Sequence, residues 1–255
     1  MSATISLYCL PYAGGSGRVF GAWQDIFHPD IKIVSIDYPG RGTRMREPLL
    51  ESIARIADDV AETIASDCRS RYALFGHSMG SLVAFELCHR LIHRYGSRPA
   101  LLAVSGHRAP GTARRTRAIH DATDADFIAH LRELGATPPE VIAADDLMAL
   151  LLPILRADFR ACETYVPERR GGLSVPIVAY GGLDDVEVDV TDLRGWRNET
   201  AGSCIVRMFP GNHFYIRDHA VTVAAALQHD LRTALAATTS PDTDDREAAE
   251  AIRNF

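Results

Sequence analysis

The chain has 255 residues, a length that suits one α/β domain whose core is large enough to need no disulfides. Apolar residues make up 47% and charged residues 24%, and a formal net charge of −6 argues against a general nucleic-acid binder. No apolar run approaches the roughly 20 residues that span a bilayer, and no secretory leader opens the chain, so we expect a cytoplasmic protein without membrane contact. The five cysteines form no Cys-x-x-Cys pair, which predicts reduced thiols and no metal site.

Short apolar strands alternate with helical patterns along most of the chain. The strands are predicted at Ile5–Leu10, Ile31–Ile36, Tyr72–Phe75, Leu101–Ser105, Val175–Gly181 and Cys204–Phe209. Helices are predicted near Val19–Trp23, over about 50–68, at Ser81–Tyr95 and at Ala220–Ala236. This alternation predicts an α/β fold with a mainly parallel central sheet that is flanked by helices on both faces.

The alternation breaks between the fourth and fifth strands. From about His120 to Tyr165 the apolar residues keep helical spacing, and Pro153 is expected to interrupt the pattern. A helical insertion at this point is usually a lid over the active site, and we assign it to about 115–168. We expect a single domain over 1–237 and a flexible polar tail over 238–255.

The most informative segment is Gly76-His77-Ser78-Met79-Gly80, which lies between the third strand and a helical pattern. A Gly-x-Ser-x-Gly turn in this place is typical of the nucleophile elbow of the α/β-hydrolases, where a serine hydroxyl stands above the edge of the sheet. A side chain at either glycine would collide with the neighbouring backbone in so sharp a turn. The pattern predicts an α/β-hydrolase fold with a helical lid insertion and makes Ser78 the candidate nucleophile.

A serine nucleophile needs a base, and the base needs a third group to orient it. In this fold the acid and then the histidine follow later strands. His213 follows the last predicted strand and is the candidate base. Asp184 and Asp185 both follow the fifth predicted strand. Asp185 satisfies the common Gly-x-x-Asp-x-x-Val turn together with Gly182 and Val188, so we favour Asp185 and keep Asp184 as the alternative.

Two backbone N–H groups are expected to form an oxyanion hole, in which they stabilise the negative charge of the transition state. One belongs to Met79, the residue after the nucleophile, and the other to the glycine loop Pro11–Gly15 that follows the first strand. This loop lacks the further motifs of a nucleotide site, so no cofactor is expected. His77 is interpreted as a packing or hydrogen-bonding residue and not as the base.

Six motifs stand out as a set between about residues 5 and 235. They are Leu10-Pro11-Tyr12-Ala13-Gly14-Gly15, Pro39-Gly40-Arg41-Gly42, the elbow at Ser78, Ser105-Gly106 with Arg108-Ala109-Pro110, Gly182-Leu183-Asp184-Asp185, and Phe209-Pro210-Gly211-x-His213-Phe214. Together they resemble type II thioesterases, the free-standing editing enzymes of nonribosomal peptide and polyketide synthesis. The resemblance implies hydrolysis of acyl thioesters on the phosphopantetheine arms of acyl or peptidyl carrier proteins, which clears stalled or mis-primed acyl groups.

The resemblance also implies roles for individual residues. Ser78, Asp185 and His213 take the catalytic roles, and Ala13 and Met79 supply the oxyanion N–H groups.

The chain departs from the family's usual pattern at three places. Ser81 stands where glycine or alanine is more common, Val186 stands where many members have proline, and His107 interrupts the Ser-Gly-Arg run. Ser81 lies close enough to the elbow to alter helix packing there.

A carrier protein of this family's systems is typically acidic, and this chain is itself net acidic, so docking would need a local basic patch. Four arginines lie just before the predicted lid: Arg108, Arg114, Arg115 and Arg117. An ordinary solvated loop is the alternative interpretation of this cluster.

Two other functions fit the same residues. A small-molecule esterase or an acyltransferase would use the same triad, because water and other nucleophiles attack the same acyl-serine. A catalytically inactive hydrolase-fold binding protein is disfavoured because the serine, the acid, the histidine and the glycine loop are all present.

Overall fold

The computed structural model describes residues 5–67, 70–114, 117–135, 137–168 and 170–239. The strands are β1 (Ile5–Leu10), β2 (Ile31–Ser35), β3 (Tyr72–His77), β4 (Leu102–Ser105), β5 (Ile177–Gly182) and β6 (Cys204–Phe209). They form one sheet in the order β2-β1-β3-β4-β5-β6, and every neighbouring pair is parallel. The predicted parallel sheet is confirmed, and the carboxyl ends of its strands share one edge.

Helices follow most of the strands. They are α1 (Trp23–Ile26), α2 (Ile53–Ile64), α3 (Met79–Tyr95), α4 (Asp124–Leu134), α5 (Pro139–Ile142), α6 (Asp145–Glu163), α7 (Val190–Arg194), α8 (Tyr215–Asp218) and α9 (Ala220–Thr239). The helix expected near Val19–Trp23 is instead a 3-10 turn at Gly17–Phe20 followed by the short α1. Among the described helices, none is both long and apolar enough to cross a membrane.

Side chains of alternate residues in the strands enter two separate cores. Leu74 of β3 and Leu102 of β4 belong to the core that contains α2 and α3. Phe75 and Ala103, the next residue of each strand, belong to the core that contains α1 and α9. Because strand side chains point alternately to opposite faces, this pattern buries both faces of the sheet and holds the strand ends rigidly in place.

The helices α4, α5 and α6 lie between β4 and β5 and have a small core of their own. Phe127 and Leu131 of α4 pack there with Met148 and Leu155 of α6. The prediction that Pro153 interrupts the helical pattern is wrong, because α6 continues through it. A proline in a helix loses one backbone hydrogen bond, and the apolar contacts made on both sides of Pro153 keep the helix whole.

The last helix is longer than predicted. The apolar pattern ends at Ala236, whereas α9 continues to Thr239, two residues into the predicted tail. Helix propagation continues past the last buried residue because each added residue gains one further backbone hydrogen bond. The rest of the predicted tail, 240–255, lies outside the described residues.

Candidate active site

The turn between β3 and α3 holds Ser78 in a backbone conformation that side chains rarely adopt. Ser78 has φ 52° and ψ −119°, and it is the one non-glycine residue with positive φ in the described part of the chain. A Cβ on Gly76 would lie 2.0 Å from the carbonyl oxygen of Gly80, and one on Gly80 would lie 2.1 Å from that of Leu10. Only glycine therefore fits on either side of this strained turn, which places Ser78 at the carboxyl end of the central strand β3.

Ser81 ties this turn to the neighbouring strand. Its buried hydroxyl lies 2.9 Å from the carbonyl oxygens of Gly76 and of Ser105, which share its one proton, and it accepts the N–H of Ser105 at 2.9 Å. The N–H of Ser78 also donates to the carbonyl of Ser105, at 2.7 Å. The departure from the family pattern at Ser81 is thus a hydrogen-bonding residue that joins β3, α3 and β4.

Asp185 and His213 meet across the loops that follow β5 and β6. His213 Nδ1 lies 2.8 Å from Asp185 Oδ2. The other carboxylate oxygen of Asp185 accepts the backbone N–H groups of Glu187 and Val188, at 2.9 and 3.3 Å. The side chain of Asp185 is completely buried, so its orientation is held from both sides.

Asp184 points elsewhere. It is exposed, and its carboxylate accepts the N–H of Gly211 at 3.3 Å rather than contacting the imidazole of His213. The two loops approach closely because a Cβ on Gly182 would lie 2.5 Å from the carbonyl oxygens of Gly211 and Asn212. Of the two aspartates that the sequence leaves open, only Asp185 is hydrogen-bonded to His213.

Ser78, His213 and Ala13 line one cavity at this edge of the sheet. The strand-end loops also contribute His107 and Arg108. The helical segment closes the other side with Leu134 of α4 and with two residues of α6, Phe159 and Cys162. The cavity therefore brings the candidate nucleophile and base together beneath α4 and α6.

The two candidate oxyanion N–H groups belong to Ala13, in the loop after β1, and to Met79, the first residue of α3. Within the described residues, neither the N–H of Ala13 nor that of Met79 donates a hydrogen bond to the protein. The neighbouring groups are occupied: Gly14 donates to Asp158 Oδ2 at 2.7 Å, and Gly15 donates to the carbonyl of Tyr12 at 2.9 Å. Ala13 is thus the residue of this loop that lines the cavity and keeps its donor available.

His77 lies beneath His213 and is fully buried. Its Nδ1 lies 2.8 Å from the hydroxyl of Ser105, which in turn lies 2.5 Å from the hydroxyl of Tyr215. Burial, and to a lesser extent the nearby His213, lowers the pKa of His77 well below its ordinary value of 6.5. This histidine is therefore a neutral side chain that packs against His213 and hydrogen-bonds the hydroxyl of Ser105.

Sequence reasoning missed two buried charged residues beside the site. Arg41, in the loop after β2, and Asp158, on α6, are almost completely buried and form a two-pronged ion pair. The sequence signal for Asp158 is its helical spacing: it lies three and four residues after Leu155 and Ile154, so the carboxylate falls on the apolar side of α6. Arg41 lies in the Pro-Gly-Arg-Gly motif, to which the sequence assigns no separate role.

The arginines of the candidate docking cluster differ in their surroundings. Arg114 pairs with the buried Glu163 at 2.7 Å, so its charge is neutralised inside the protein. Arg108 is half-buried and lines the cavity, and Arg117 is exposed. Arg115 lies outside the described residues. Arg114 is therefore unsuited to a simple role as a surface docking charge.

No group of three or more potential metal ligands occurs among the residues that the structure describes. The described cysteines Cys9, Cys88, Cys162 and Cys204 are free thiols, and burial raises the pKa of each.

Known proteins share both the sequence and this architecture. A family model for the thioesterase domain matches residues 5–231. Thioesterase PikA5 of Streptomyces venezuelae is 39% identical over 85% of this chain and 77% of its own. The solved RedJ thioesterase from the prodiginine pathway of Streptomyces coelicolor has a TM-score of 0.82 at 34% identity, covering 89% of this chain and 86% of RedJ.

A second solved structure, YbtT, is a type II thioesterase from the yersiniabactin NRPS/PKS pathway. Its TM-score is 0.82 at 32% identity, covering 91% of this chain and 95% of YbtT. The family model spans the elbow and the two strand-end loops, and the two structural matches cover 89% and 91% of the chain. The chain therefore belongs to the thioesterase family and is a thioester hydrolase with the α/β-hydrolase fold.

Proposed function

We propose that this protein hydrolyses acyl thioesters held on the phosphopantetheine arms of acyl or peptidyl carrier proteins, and so clears stalled or mis-primed acyl groups in nonribosomal peptide or polyketide synthesis. The observation that carries the proposal is the Asp185–His213 hydrogen bond beside a cavity that Ser78 also lines. The pathways named for RedJ and YbtT support the carrier-bound substrate.

The reaction follows from the hydrogen bonds at the site. A carboxylate oxygen of Asp185 can only accept, so the proton of His213 resides on Nδ1 and its Nε2 is the basic atom. As Ser78 Oγ attacks the thioester carbonyl, Nε2 takes the hydroxyl proton. The N–H groups of Ala13 and Met79 then stabilise the oxyanion.

Collapse of this intermediate breaks the carbon–sulfur bond. His213 returns its proton to the departing pantetheine thiolate, which leaves as a free thiol and an acyl-serine at Ser78. Water then attacks the acyl-serine with His213 again as the base, and the acid product and free Ser78 are released. Each proton that His213 takes is given back in the same half-reaction.

The helical segment α4–α6 is proposed to act as a lid within one hydrolase domain. The support is that Leu134 and Phe159 line the cavity opposite Ser78 and His213. In this position the segment excludes water from the acyl-serine until the thiol has left.

The central test compares wild-type protein with Ser78→Ala on an acyl-loaded carrier domain. We expect the variant to lose hydrolysis by a factor of about 10³ or more, with an unchanged unfolding transition. The exposed Ser66→Ala variant is the matched control. Undiminished turnover by Ser78→Ala would overturn the assignment, and covalent labelling of Ser78 by a fluorophosphonate would exclude an inactive binding protein.

Carrier dependence needs a separate experiment. The same acyl group is supplied on a carrier domain, on free pantetheine and on a simple alcohol ester. We expect the highest kcat/KM for the carrier-bound thioester. A higher kcat/KM for the ester would instead assign the protein as a small-molecule esterase, and transfer to an added alcohol or amine as an acyltransferase.

A further inference from the structure

One carboxylate joins three separated parts of the site. Asp158 lies on α6 and has no exposed surface, and Arg41, in the loop after β2, is 3% exposed. Arg41 Nη2 donates to Asp158 Oδ1 at 2.8 Å, and Nη1 donates to Oδ2. The same Oδ2 accepts the N–H of Gly14 at 2.7 Å. The helical segment, the β2 loop and the glycine loop therefore meet at Asp158.

Stability alone does not explain such a pair. Burying two charges requires removing both from water, and apolar residues of similar volume often serve the fold equally well. Arg41 Nε is buried and has no hydrogen-bond partner in the described part of the chain, so the guanidinium is not fully compensated. What the pair does supply is a fixed acceptor for one backbone N–H of the glycine loop.

That acceptor determines how the glycine loop is oriented. The hydrogen bond from Gly15 to the carbonyl of Tyr12 holds the peptide that carries the N–H of Ala13. The hydrogen bond from Gly14 to Asp158 holds the next peptide, and Gly14 adopts φ 75°. Both peptides around Ala13 are therefore fixed, and one of them depends on α6.

We propose that Asp158 is a positioning residue for catalysis: held by Arg41, it fixes the Gly14 peptide and thereby keeps the N–H of Ala13 directed at the oxyanion. This inference rests on the oxyanion role of Ala13 in the proposed function. It goes further by making the helical segment part of the catalytic machinery.

The same helix also contacts the loop and lines the cavity. A Cβ on Gly14 would lie 2.5 Å from Leu155 Cδ2, one turn before Asp158 on α6. Phe159 and Cys162, which follow Asp158 on the helix, line the cavity. Movement of α6 away from the sheet would therefore open the cavity and break the hydrogen bond from Gly14 to Asp158 at the same time. The oxyanion hole is thus complete only when α6 packs against the glycine loop.

The test uses two double variants that differ only at position 158, in whether the side chain there can accept a hydrogen bond. Arg41→Met/Asp158→Asn and Arg41→Met/Asp158→Leu both remove the buried ion pair, and asparagine and leucine have similar shapes. Only asparagine retains an oxygen that can accept the N–H of Gly14. Steady-state kinetics with an acyl-loaded carrier and the unfolding transition are measured for both variants.

We expect the leucine variant to lose kcat by about 10- to 100-fold, less than the 10²–10³-fold loss of an oxyanion donor outright. Its KM should stay within about threefold of the wild-type value, and the asparagine variant should keep kcat within about fivefold. Equal kcat in the two variants, whether high or low, would overturn the proposal. The pair Arg207–Asp230, which is partly exposed at Arg207 and does not line the cavity, serves as the control: Arg207→Met/Asp230→Leu should leave kcat within about threefold of wild type.

Two further measurements keep the result decisive. If the leucine variant does not fold, amide exchange at Gly14 is measured in wild type and in the asparagine variant. Protection in both supports the proposal, and an unprotected Gly14 amide in wild type overturns it. Ser78→Ala is assayed alongside: activity in Ser78→Ala contradicts the proposed function, whereas an inactive Ser78→Ala with wild-type kcat in the leucine variant contradicts only the role of Asp158.

Discussion

The imidazole rings of His77 and His213 lie 5.2 Å apart, with the buried ring beneath the one that lines the cavity. Gly106 leaves room for both: a Cβ there would lie 2.8 Å from Cε1 of His77 and 3.4 Å from Cε1 of His213. His213 is thus held by Asp185 at Nδ1 and supported from below by His77, so its ring has little freedom to turn away from Ser78.

His77→Ala should therefore impair both stability and catalysis. The substitution leaves a cavity beneath His213 and removes one of the two hydrogen-bond partners of the Ser105 hydroxyl, so we expect a loss of about 2–4 kcal/mol in the free energy of unfolding. We expect kcat to fall about tenfold because the base is less well oriented. Urea unfolding and steady-state kinetics measure the two effects. The exposed His93→Ala should change stability by less than about 0.5 kcal/mol, and wild-type kcat in His77→Ala would contradict the supporting role.

The two neighbouring aspartates provide a second test. Asp185→Asn removes the charge that stabilises protonated His213 and favours the wrong tautomer of its ring, so we expect kcat to fall by about 10²–10⁴-fold. Asp184→Asn keeps an acceptor for the N–H of Gly211, and its kcat should stay within about threefold of wild type. Parallel kinetics on both variants check this. The assignment of Asp185 fails if the two substitutions lower kcat equally.

The meeting of Ser78 and His213 at one cavity could be predicted from the sequence for a simple reason. Each follows a strand, and the carboxyl ends of parallel strands share one edge of the sheet. The glycines of the elbow could also be predicted, because the steric limits of a sharp turn are local. Steric requirements of this kind involve only neighbouring residues, so a short stretch of sequence is enough to predict them.

The role of Asp158 could not be predicted in the same way. Its partners Arg41 and Gly14 are 117 and 144 positions away in the chain. A sequence pattern also does not predict how the helical segment that carries Asp158 packs against the sheet. A carboxylate on the apolar side of α6 signals only that some buried partner exists. The same limit applies to Pro153, where packing on both sides outweighs the local preference of proline to end a helix.

Ser81→Ala tests the link between the elbow and β4. The substitution leaves the N–H of Ser105 and the carbonyl of Gly76 without the hydroxyl that they share, so we expect the free energy of unfolding to fall by about 1–3 kcal/mol. The conformation of Ser78 is still enforced by the flanking glycines, so kcat/KM should stay within about threefold of wild type. Denaturant unfolding measures the first effect, with the exposed Ser66→Ala as the control. Equal stability of the two variants would show that the hydroxyl contributes nothing.

The buried His89 should make stability depend on pH. Burial, with the nearby charge of Arg170 as a smaller cause, lowers the pKa of His89 from 6.5 to about 4, and its Nδ1 has no hydrogen-bond partner within the described residues. Below pH 6.5 the unfolded chain binds a proton at His89, whereas the folded protein does not until the pH approaches 4. The free energy of unfolding therefore decreases as the pH falls from 6.5 towards 4, by up to about 1.4 kcal/mol per pH unit.

Replacing His89 removes this contribution. We expect His89→Leu and His89→Phe to lose less stability than wild type between pH 6.5 and 4.5, by up to about 1.4 kcal/mol per pH unit. The two variants pack differently against Phe85, so their absolute stabilities should differ while their pH slopes agree. Urea unfolding at several pH values gives each slope. If both variants keep the wild-type slope, the acid sensitivity of the fold arises at other groups and His89 does not contribute.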